Sequence, residues 1–252
     1  MYKVLESMLE DGHPDLPFIL SWENEPWTRT TNRGNRVEVL LPQTYGHEPE
    51  WEDHFQYLCR FFDHPSYMRR NGAPIFVLGS TKNMREVLVP MLRCWRRLAL
   101  NHGFSGLHII NALGSSVHHP DDVGTVDAAS HYWPHLFNNF DIPKSKCAST
   151  EDLPLPSNQT IQYWGSFAGF GERFKNCEKD TNFETDLKES FAQMARSSRS
   201  FAPNIFFHTA WNEWKNQAVL EPSTTSGFTI LEAIRSALNQ MPIRIISESE
   251  FC

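Results

Sequence analysis

The chain has 252 residues, and its 23 Lys and Arg against 30 Asp and Glu give a formal net charge of −7. This acidic balance argues against a nucleic-acid binder whose affinity comes from neutralising phosphates. No apolar run approaches the roughly 18–20 residues that are needed to span a bilayer. Because 40% of the residues are hydrophobic, a large core can form, which excludes wholesale disorder.

The five cysteines are widely spaced and form no C-x-x-C pair, so a zinc knuckle and a disulfide framework are both poor interpretations. The first fifteen residues carry acids and a histidine but no apolar segment typical of a signal peptide. We therefore expect a cytoplasmic protein without a membrane span.

Hydrophobic periodicity predicts six buried strands that alternate with amphipathic helices. In chain order the strands cover 16–22, 75–79, 106–111, 126–133, 160–164 and 203–208, and the helices cover 50–62, 83–102, 180–200 and 227–239. A helix-like segment over 2–10 precedes them. Gly103 is the predicted end of the second of these helices.

Apolar strands that alternate with helices indicate a parallel sheet covered on both faces. Such a sheet is either open and doubly wound or closed into a barrel. The sequence contains no G-x-G-x-x-G or G-x-x-x-x-G-K-[ST] loop, whereas polar and aromatic residues follow several strands, as at the carboxyl edge of a barrel. We therefore predict an α/β fold: a (β/α)8 TIM-type barrel with about six units present and the first strands missing. A single barrel domain is expected over residues 1–240, with a tail over 241–252.

The segment W-E-N-E-P-W-T-R, residues 22–29, combines carboxylates, an amide, a cation and two indoles directly after the first strand. Opening a glycosidic bond needs an acid and a base or nucleophile, and flat apolar rings bind the C–H face of a sugar. The segment therefore indicates a carbohydrate site. The alternative is a solvated loop whose tryptophans pack beneath the barrel.

The segment T-A-W-N-E-W, residues 209–214, repeats this mixture directly after the sixth strand. In a barrel both segments open on the same face, so we expect Glu25 and Glu213 to oppose one another across a groove. Their separation does not follow from the sequence, which leaves retaining and inverting chemistry open. In the alternative interpretation, Glu213 pairs with Arg29 or Lys215.

A metal hypothesis arises from the histidines and aspartates at 118, 119, 121, 122, 131 and 135. Pro134 disfavours a continuous helix between His131 and His135, and the chain has no H-E-x-x-H motif. A polar loop with hydrogen-bonded imidazoles is the better interpretation. A Ser-His-Asp triad is unsupported because no G-x-S-x-G elbow is present. We expect neither a metal nor another cofactor.

Both tryptophan segments resemble the WbsX-type glycosyltransferase domain, a family related to the endo-mannosidase barrels of glycoside hydrolase family 99. The family signature W-x-N-E-x-W-T-R matches Trp22, Asn24, Glu25, Trp27, Thr28 and Arg29. A helix and strand-entry block resembles residues 54–62, Tyr67, Gly72, Pro74 and Phe76, and the closing block matches residues 210–214 and Leu220, Glu221 and Pro222.

This resemblance implies a barrel that cleaves or transfers glycosyl units on an oligosaccharide or polysaccharide, with family roles in cell-surface polysaccharide or lipopolysaccharide synthesis. We interpret Glu213 as the base or nucleophile-like carboxylate, and Glu25 and Glu221 as candidates for the second carboxylate. The predicted substrate-binding residues are Trp22, Asn24, Trp27, Arg29, Tyr132, Trp164, Trp211, Asn212 and Trp214. The oligomeric state stays open.

Two departures from the family pattern keep other functions open. Relatives begin with two further β/α units, so a truncated product is expected, and Asn216 stands where the family usually has a carboxylate. An amide delivers no proton, and loss of a positioned acid typically costs on the order of 10²–10⁴ in rate. A non-catalytic glycan binder or degenerate fragment is therefore one alternative. A nucleotide-sugar glycosyltransferase is another, although the sequence has neither a phosphate-binding glycine-rich loop nor a D-x-D motif.

Overall fold

The computed structural model describes residues 2–13, 15–30, 37–81, 84, 86–113, 125–131, 161–167, 183–196, 201–216 and 218–240. Within these ranges the chain divides into two compact units: the first holds the described residues up to 111 and residues 125–127, and the second holds 112–113 and the described residues from 128 onward. The single barrel domain over 1–240 stays a prediction, and the expected tail over 241–252 lies outside the described residues.

The first unit is built on parallel strands. Its elements are helices α1 (Tyr2–Asp11), α2 (Glu48–Phe62) and α3 (Leu88–His102) and strands β1 (Leu20–Trp22), β2 (Trp27–Thr30), β3 (Val37–Leu41), β4 (Arg69–Arg70), β5 (Ala73–Leu78) and most of β6 (His108–Leu113). Strand β5 pairs in parallel with β1 and β6, so that Phe76 lies between Leu20 and Ile109. Strands β2 and β3 form a separate antiparallel hairpin.

Aromatic rings form the core between α2, α3 and β5. Trp95 of α3 is fully buried, and its Nε1–H donates a hydrogen bond to the Trp51 carbonyl oxygen over 2.9 Å. Its ring contacts His54, Phe55 and Phe76 in edge-on or tilted geometry. Such aromatic pairs add to the free energy gained from burying their area. The Trp95 indole therefore links the two helices to the sheet within a larger apolar cluster.

The helix ends follow from local chemistry. At the start of α2 the Glu50 carboxylate accepts a hydrogen bond from the His47 N–H over 3.0 Å. Helix α3 begins at Leu88, later than the predicted residue 83, because Pro90 has no N–H and fits only in the first turn of a helix. Gly103, with a φ of 102°, ends α3 as predicted.

The second unit repeats the alternation of parallel strands and helices. Its elements are strands β7 (Ala128–His131), β8 (Ile161–Phe167), β9 (Phe201–Thr209), β10 (Asn212–Glu213) and β11 (Ala218–Val219) and helices α4 (Phe183–Arg196) and α5 (Thr229–Asn239). Strands β7, β8 and β9 are parallel neighbours. An apolar cluster joins β8 and β9 to α4 and α5; it contains Trp164, Phe183, Leu187, Phe191, Phe206 and Ile230.

All six predicted parallel strands form, and the predicted α/β class, with the parallel strands and helices of an incomplete TIM-type barrel, is confirmed. The first strand begins at Leu20 and not at residue 16, because Pro17 has no N–H to donate to a ladder. The β2–β3 hairpin is absent from the prediction, since its strands are short and β2 lies largely within the segment 22–29, where the sequence indicates a carbohydrate site or a solvated loop. In the part of the chain that the structure describes, no helix combines the length and apolar character needed to cross a bilayer.

Tyr67 provides a test of how β1 is held to β5. Its buried hydroxyl accepts a hydrogen bond from the Leu20 N–H over 3.1 Å and donates one to the Ile75 carbonyl oxygen over 2.6 Å. Because Tyr67→Phe removes this partner from two main-chain groups, we expect the free energy of unfolding to fall by about 1–3 kcal/mol in urea denaturation. Ser7→Ala, which deletes an exposed hydroxyl bonded within α1, is the control. Equal losses in the two variants would contradict the bridging role.

His208 of β9 is a half-buried residue of the second unit. Its Nδ1 lies 2.6 Å from Ser166 Oγ of β8, and its ring meets Phe183 edge-on at 6.1 Å. Its Nε2 is shielded from solvent and has no hydrogen-bond partner among the described residues. Burial lowers the pKa of His208 from 6.5 to about 4, because the charged ring would lose its hydration.

This depressed pKa gives stability a defined pH dependence. Between the ordinary value of 6.5 and about 4, the unfolded chain binds a proton at His208 that the folded chain does not. The free energy of unfolding therefore falls as pH drops through this window, by on the order of 3 kcal/mol from this group. Denaturation curves at several pH values should show a flatter dependence for His208→Gln. The exposed residue His13 supplies the control, since His13→Gln should keep the wild-type slope; a wild-type slope in His208→Gln would exclude His208 as the source.

Candidate functional site

A buried amide ties together the carboxyl ends of β1 and β5. Asn24 is fully buried, and its Nδ2 donates to the Ser80 carbonyl oxygen over 2.6 Å and to Met84 Sδ over 2.8 Å. Its Oδ1 accepts a hydrogen bond from the Ser80 N–H over 2.8 Å. Protein groups therefore already occupy this buried amide, which gives Asn24 a structural role at the junction. Its predicted contact with a sugar hydroxyl stays a prediction.

Close backbone packing at Gly79 supports the same junction. The Gly79 N–H donates to the Trp22 carbonyl oxygen over 2.9 Å. A Cβ at position 79 would lie 3.0 Å from that oxygen and 3.2 Å from Asn24 Oδ1, which is tighter than side-chain carbons normally approach. The Tyr45 hydroxyl donates to the Asn24 carbonyl oxygen over 2.9 Å. Hydrogen bonds thus hold the main-chain carbonyl groups of Trp22 and Asn24, on either side of Glu23.

Glu23 and Glu25 flank this amide on the protein surface. Partial desolvation, followed by the charge of Glu25, raises the pKa of Glu23 above its usual range. The same two causes, in the same order, raise the pKa of the Tyr45 phenol. When one carboxyl group keeps its proton to a higher pH than its neighbour, the first can act as an acid and the second as a base.

The Trp22 ring is half-buried among aromatic residues of the first unit. It meets His54 edge-on at 4.8 Å and contacts Tyr45 and Trp95 at 6.2 Å each. Burial lowers the pKa of His54, because the charged imidazole would lose hydration there. Tyr45, His54 and Trp95 were not selected as site residues from the sequence, because no motif links them to the W-E-N-E segment.

Trp27 and Arg29 lie on strand β2 of the hairpin. Trp27 is 67% exposed, so its ring is open to a flat ligand. The Arg29 guanidinium forms an ion pair with Glu38 of β3, with 2.8 Å between Nη2 and Oε2. The structure therefore gives Arg29 a cross-strand partner in the hairpin, where the sequence had suggested Glu213 as one interpretation.

The second tryptophan segment directly follows β9, which ends at Thr209. Short strands β10 and β11 pair antiparallel, with Asn212 opposite Val219 and Glu213 opposite Ala218. The Glu221 N–H donates to the Trp211 carbonyl oxygen over 2.9 Å. This small hairpin brings Trp211 next to Glu221.

The same segment presents indole rings next to carboxylates. Trp211 is 52% exposed and Trp214 53% exposed, while Glu213 between them is half-buried. The Trp214 Nε1–H donates a hydrogen bond to Glu221 Oε2 over 2.8 Å, which orients both groups. Two exposed indoles, one of them oriented by a hydrogen bond, beside acids at the carboxyl end of a parallel strand are suited to bind a sugar and act on it.

Trp164, a predicted substrate-binding residue, lies in the apolar cluster of the second unit. It is 6% exposed and packs with Phe183 and Phe191 in the cluster beneath α4 and α5. Alternate residues of a strand point to opposite faces, and Trp164 lies on the helix-facing side of β8. Its role in substrate binding stays a prediction. Tyr132 and the positions 118, 119, 121, 122 and 135 of the metal hypothesis lie outside the described residues. Of His131 and Asn216, only the backbone is described.

Potential metal ligands in the described part of the chain meet at one place between α2 and α3. Ligand atoms of Glu48, Glu52 and Cys94 lie within 4.8 Å of one another. Arg97 Nη2 donates to the two carboxylates over 2.8 and 3.2 Å and to the Cys94 sulfur over 3.6 Å. Burial raises the pKa of the Cys94 thiol, which disfavours the thiolate that a metal would need. The guanidinium already supplies the positive charge, so this group is an ion-pair cluster.

Comparison with known proteins places these residues in a family. A family model described as Glycosyltransferase WbsX matches residues 1–177 and 172–234. Two strains of Xanthomonas campestris pv. campestris have a relative described as uncharacterized protein WxcX, 24% identical over 265 residues. The alignment covers 95% of this chain and 38% of WxcX, so the chain spans well under half of that relative.

A solved structure described as a glycoside hydrolase-like protein aligns with 75% of this chain and 60% of its own, at 12% identity and a TM-score of 0.48. The family model, by contrast, covers most of the chain, including both tryptophan segments. The chain belongs to the WbsX glycosyltransferase family.

Proposed function

We propose that this chain is part of a carbohydrate-active protein that binds an oligosaccharide or polysaccharide and cleaves or transfers a glycosyl unit. The observation that carries the proposal is the segment after β9, where exposed Trp211 and Trp214 flank Glu213 and the Trp214 indole is oriented by Glu221. Membership of a family described as glycosyltransferases supports the same class of substrate.

In this proposal Glu213 acts as the base or nucleophile-like carboxylate. Glu221 already accepts the Trp214 hydrogen bond, so we assign it chiefly to orienting that indole. Glu25 is then the better candidate for the second carboxylate, and Trp22, Trp27 and the exposed Asn212 for contacts with the sugar. Convergence of Glu25 and Glu213 on one groove stays a prediction.

The biological setting belongs to the same proposal. The family resemblance suggests a role in cell-surface polysaccharide or lipopolysaccharide synthesis, in the cytoplasm. WxcX extends far beyond the matched region, so the substrate and reaction of a whole protein of this type are proposed from the matched part alone.

A non-catalytic glycan binder is the second candidate function, and Asn216 favours it. An amide at the position of the usual carboxylate removes a proton donor while leaving the stacking residues in place. The nucleotide-sugar glycosyltransferase has weaker support, because the sequence carries neither a D-x-D motif nor a phosphate-binding glycine-rich loop.

Substitution of Glu213 separates the catalytic proposal from the binding one. With the full-length protein, we expect Glu213→Gln to lower kcat on mannan-type or O-antigen oligosaccharides by on the order of 10²–10⁴. The reason is that the amide neither accepts a proton nor attacks carbon. Glu232→Gln, at an exposed position on α5, is the matched control and should retain wild-type turnover. Full turnover by Glu213→Gln would contradict the mechanism. Binding without product in every form, wild type included, would select the non-catalytic binder.

Trp214 tests the stacking role independently of turnover. We expect Trp214→Ala to weaken oligosaccharide binding about tenfold, because a stacking ring contributes roughly 0.5–1.5 kcal/mol beyond its buried area. Trp214→Phe keeps a ring but loses the bond to Glu221, so an intermediate affinity is expected. Fluorescence titration of the remaining tryptophans gives the dissociation constants. Phe228→Ala removes an even more exposed aromatic ring outside the segment, and a loss there as large as in Trp214→Ala would refute a specific contact.

A further inference from the structure

The hydrogen bonds of Asn24 begin where the strand pairing of β1 stops. The last paired residues of β1 and β5 are Trp22 and Leu78. Beyond them, Asn24 bonds to both main-chain groups of Ser80. Because β1 is already held by its ladder, the segment that depends on these additional bonds is residues 23–25.

We propose that Asn24 is a positioning residue whose buried amide holds Glu23 and Glu25 in a fixed geometry as one carboxyl pair of the glycan site. The inference rests on the proposed function for the identity of the ligand, but the geometry that it describes is a property of the first unit alone.

Position 24 needs a primary amide. The Ser80 N–H requires an acceptor and the Ser80 carbonyl oxygen a donor, and the Asn24 side chain supplies both over 2.8 and 2.6 Å. Aspartate would lack the donor and would be a buried charge, while alanine would lack both groups. The cost of leaving such buried groups without a partner, about 1–3 kcal/mol each, keeps Asn24 in place.

Movement of Asn24 is transmitted directly to its neighbours. Adjacent Cα atoms are about 3.8 Å apart across a trans peptide, so Glu23 and Glu25 shift when Asn24 shifts. Desolvation of Glu23 and, second, its repulsion from Glu25 both raise the pKa of Glu23, and both depend on where residues 23–25 lie. The titration of Glu23 therefore reports the placement of this segment.

A second buried amide extends the junction to β6. Asn111, 2% exposed near the end of β6, donates through Nδ2 to Thr81 Oγ1 over 3.1 Å. Thr81 follows Ser80, which bonds to Asn24. The carboxyl ends of three parallel strands are thus linked by side-chain amides, which is the rigid support that a preorganised site requires.

The experiment compares Asn24→Ala with Gln43→Ala, whose amide donates only locally, to the neighbouring Thr44 carbonyl oxygen. Carboxyl-carbon NMR of glutamate-labelled protein gives the titration midpoint of Glu23. We expect a midpoint above the usual range in the wild type and in Gln43→Ala, and a shift toward the ordinary value in folded Asn24→Ala. A purely structural role would lower stability and leave this midpoint unchanged, and that result would overturn the proposal.

Gly79→Ala decides the case if Asn24→Ala does not fold. Its Cβ would press on the Trp22 carbonyl oxygen and Asn24 Oδ1, displacing the junction without removing the amide. A changed Glu23 midpoint in this variant supports the proposal, and an unchanged one overturns it.

Oligosaccharide titration separates the positioning role from the proposed function. Asn24→Ala should bind about tenfold more weakly than the wild type, and Gln43→Ala should bind equally well. If the wild type binds no oligosaccharide, the proposed function fails, and the Glu23 midpoints still decide whether Asn24 positions the pair.

Discussion

One buried side-chain amide, that of Asn24, joins the carboxyl ends of β1 and β5. The close approach of Gly79 to Trp22 and the hydrogen bond from Tyr45 lie directly beside it, and we propose that it also positions Glu23 and Glu25. Parallel strands place their ends together, but they do not fix the residues that follow. A paired donor and acceptor does, because breaking it leaves two buried polar groups without partners.

In the second unit, different groups fix the residues that follow a parallel strand. After β9 the chain forms a small hairpin, and the bond between the Trp214 indole and the Glu221 carboxylate orients its surface. In both units chemically useful residues therefore follow a parallel strand and are held by contacts to a neighbouring segment. This arrangement is expected of proteins that use the carboxyl edge of parallel strands for binding and catalysis.

Tryptophan illustrates why residue type is an incomplete guide to function. Trp95 and Trp164 are core residues, whereas Trp27, Trp211 and Trp214 are more than half exposed. An indole is equally suited to a hydrophobic core and to the face of a sugar. Composition alone therefore does not predict which role a tryptophan has. The role of a tryptophan depends on the face of the strand or helix on which it lies. Trp164 demonstrates this, because it is buried on the helix-facing side of β8.

The sequence by itself determined the six parallel strands, the α/β class, the end of α3 at Gly103 and the two segments that place the chain in the WbsX family. These features depend on periodicity and on neighbouring residues, which are visible in a linear chain. Only the tertiary structure decided that Asn24 bonds to Ser80, that Arg29 pairs with Glu38 and that Trp164 is buried. Each of these outcomes depends on partners that come close only after the strands pair and the helices pack, so no local pattern contains them.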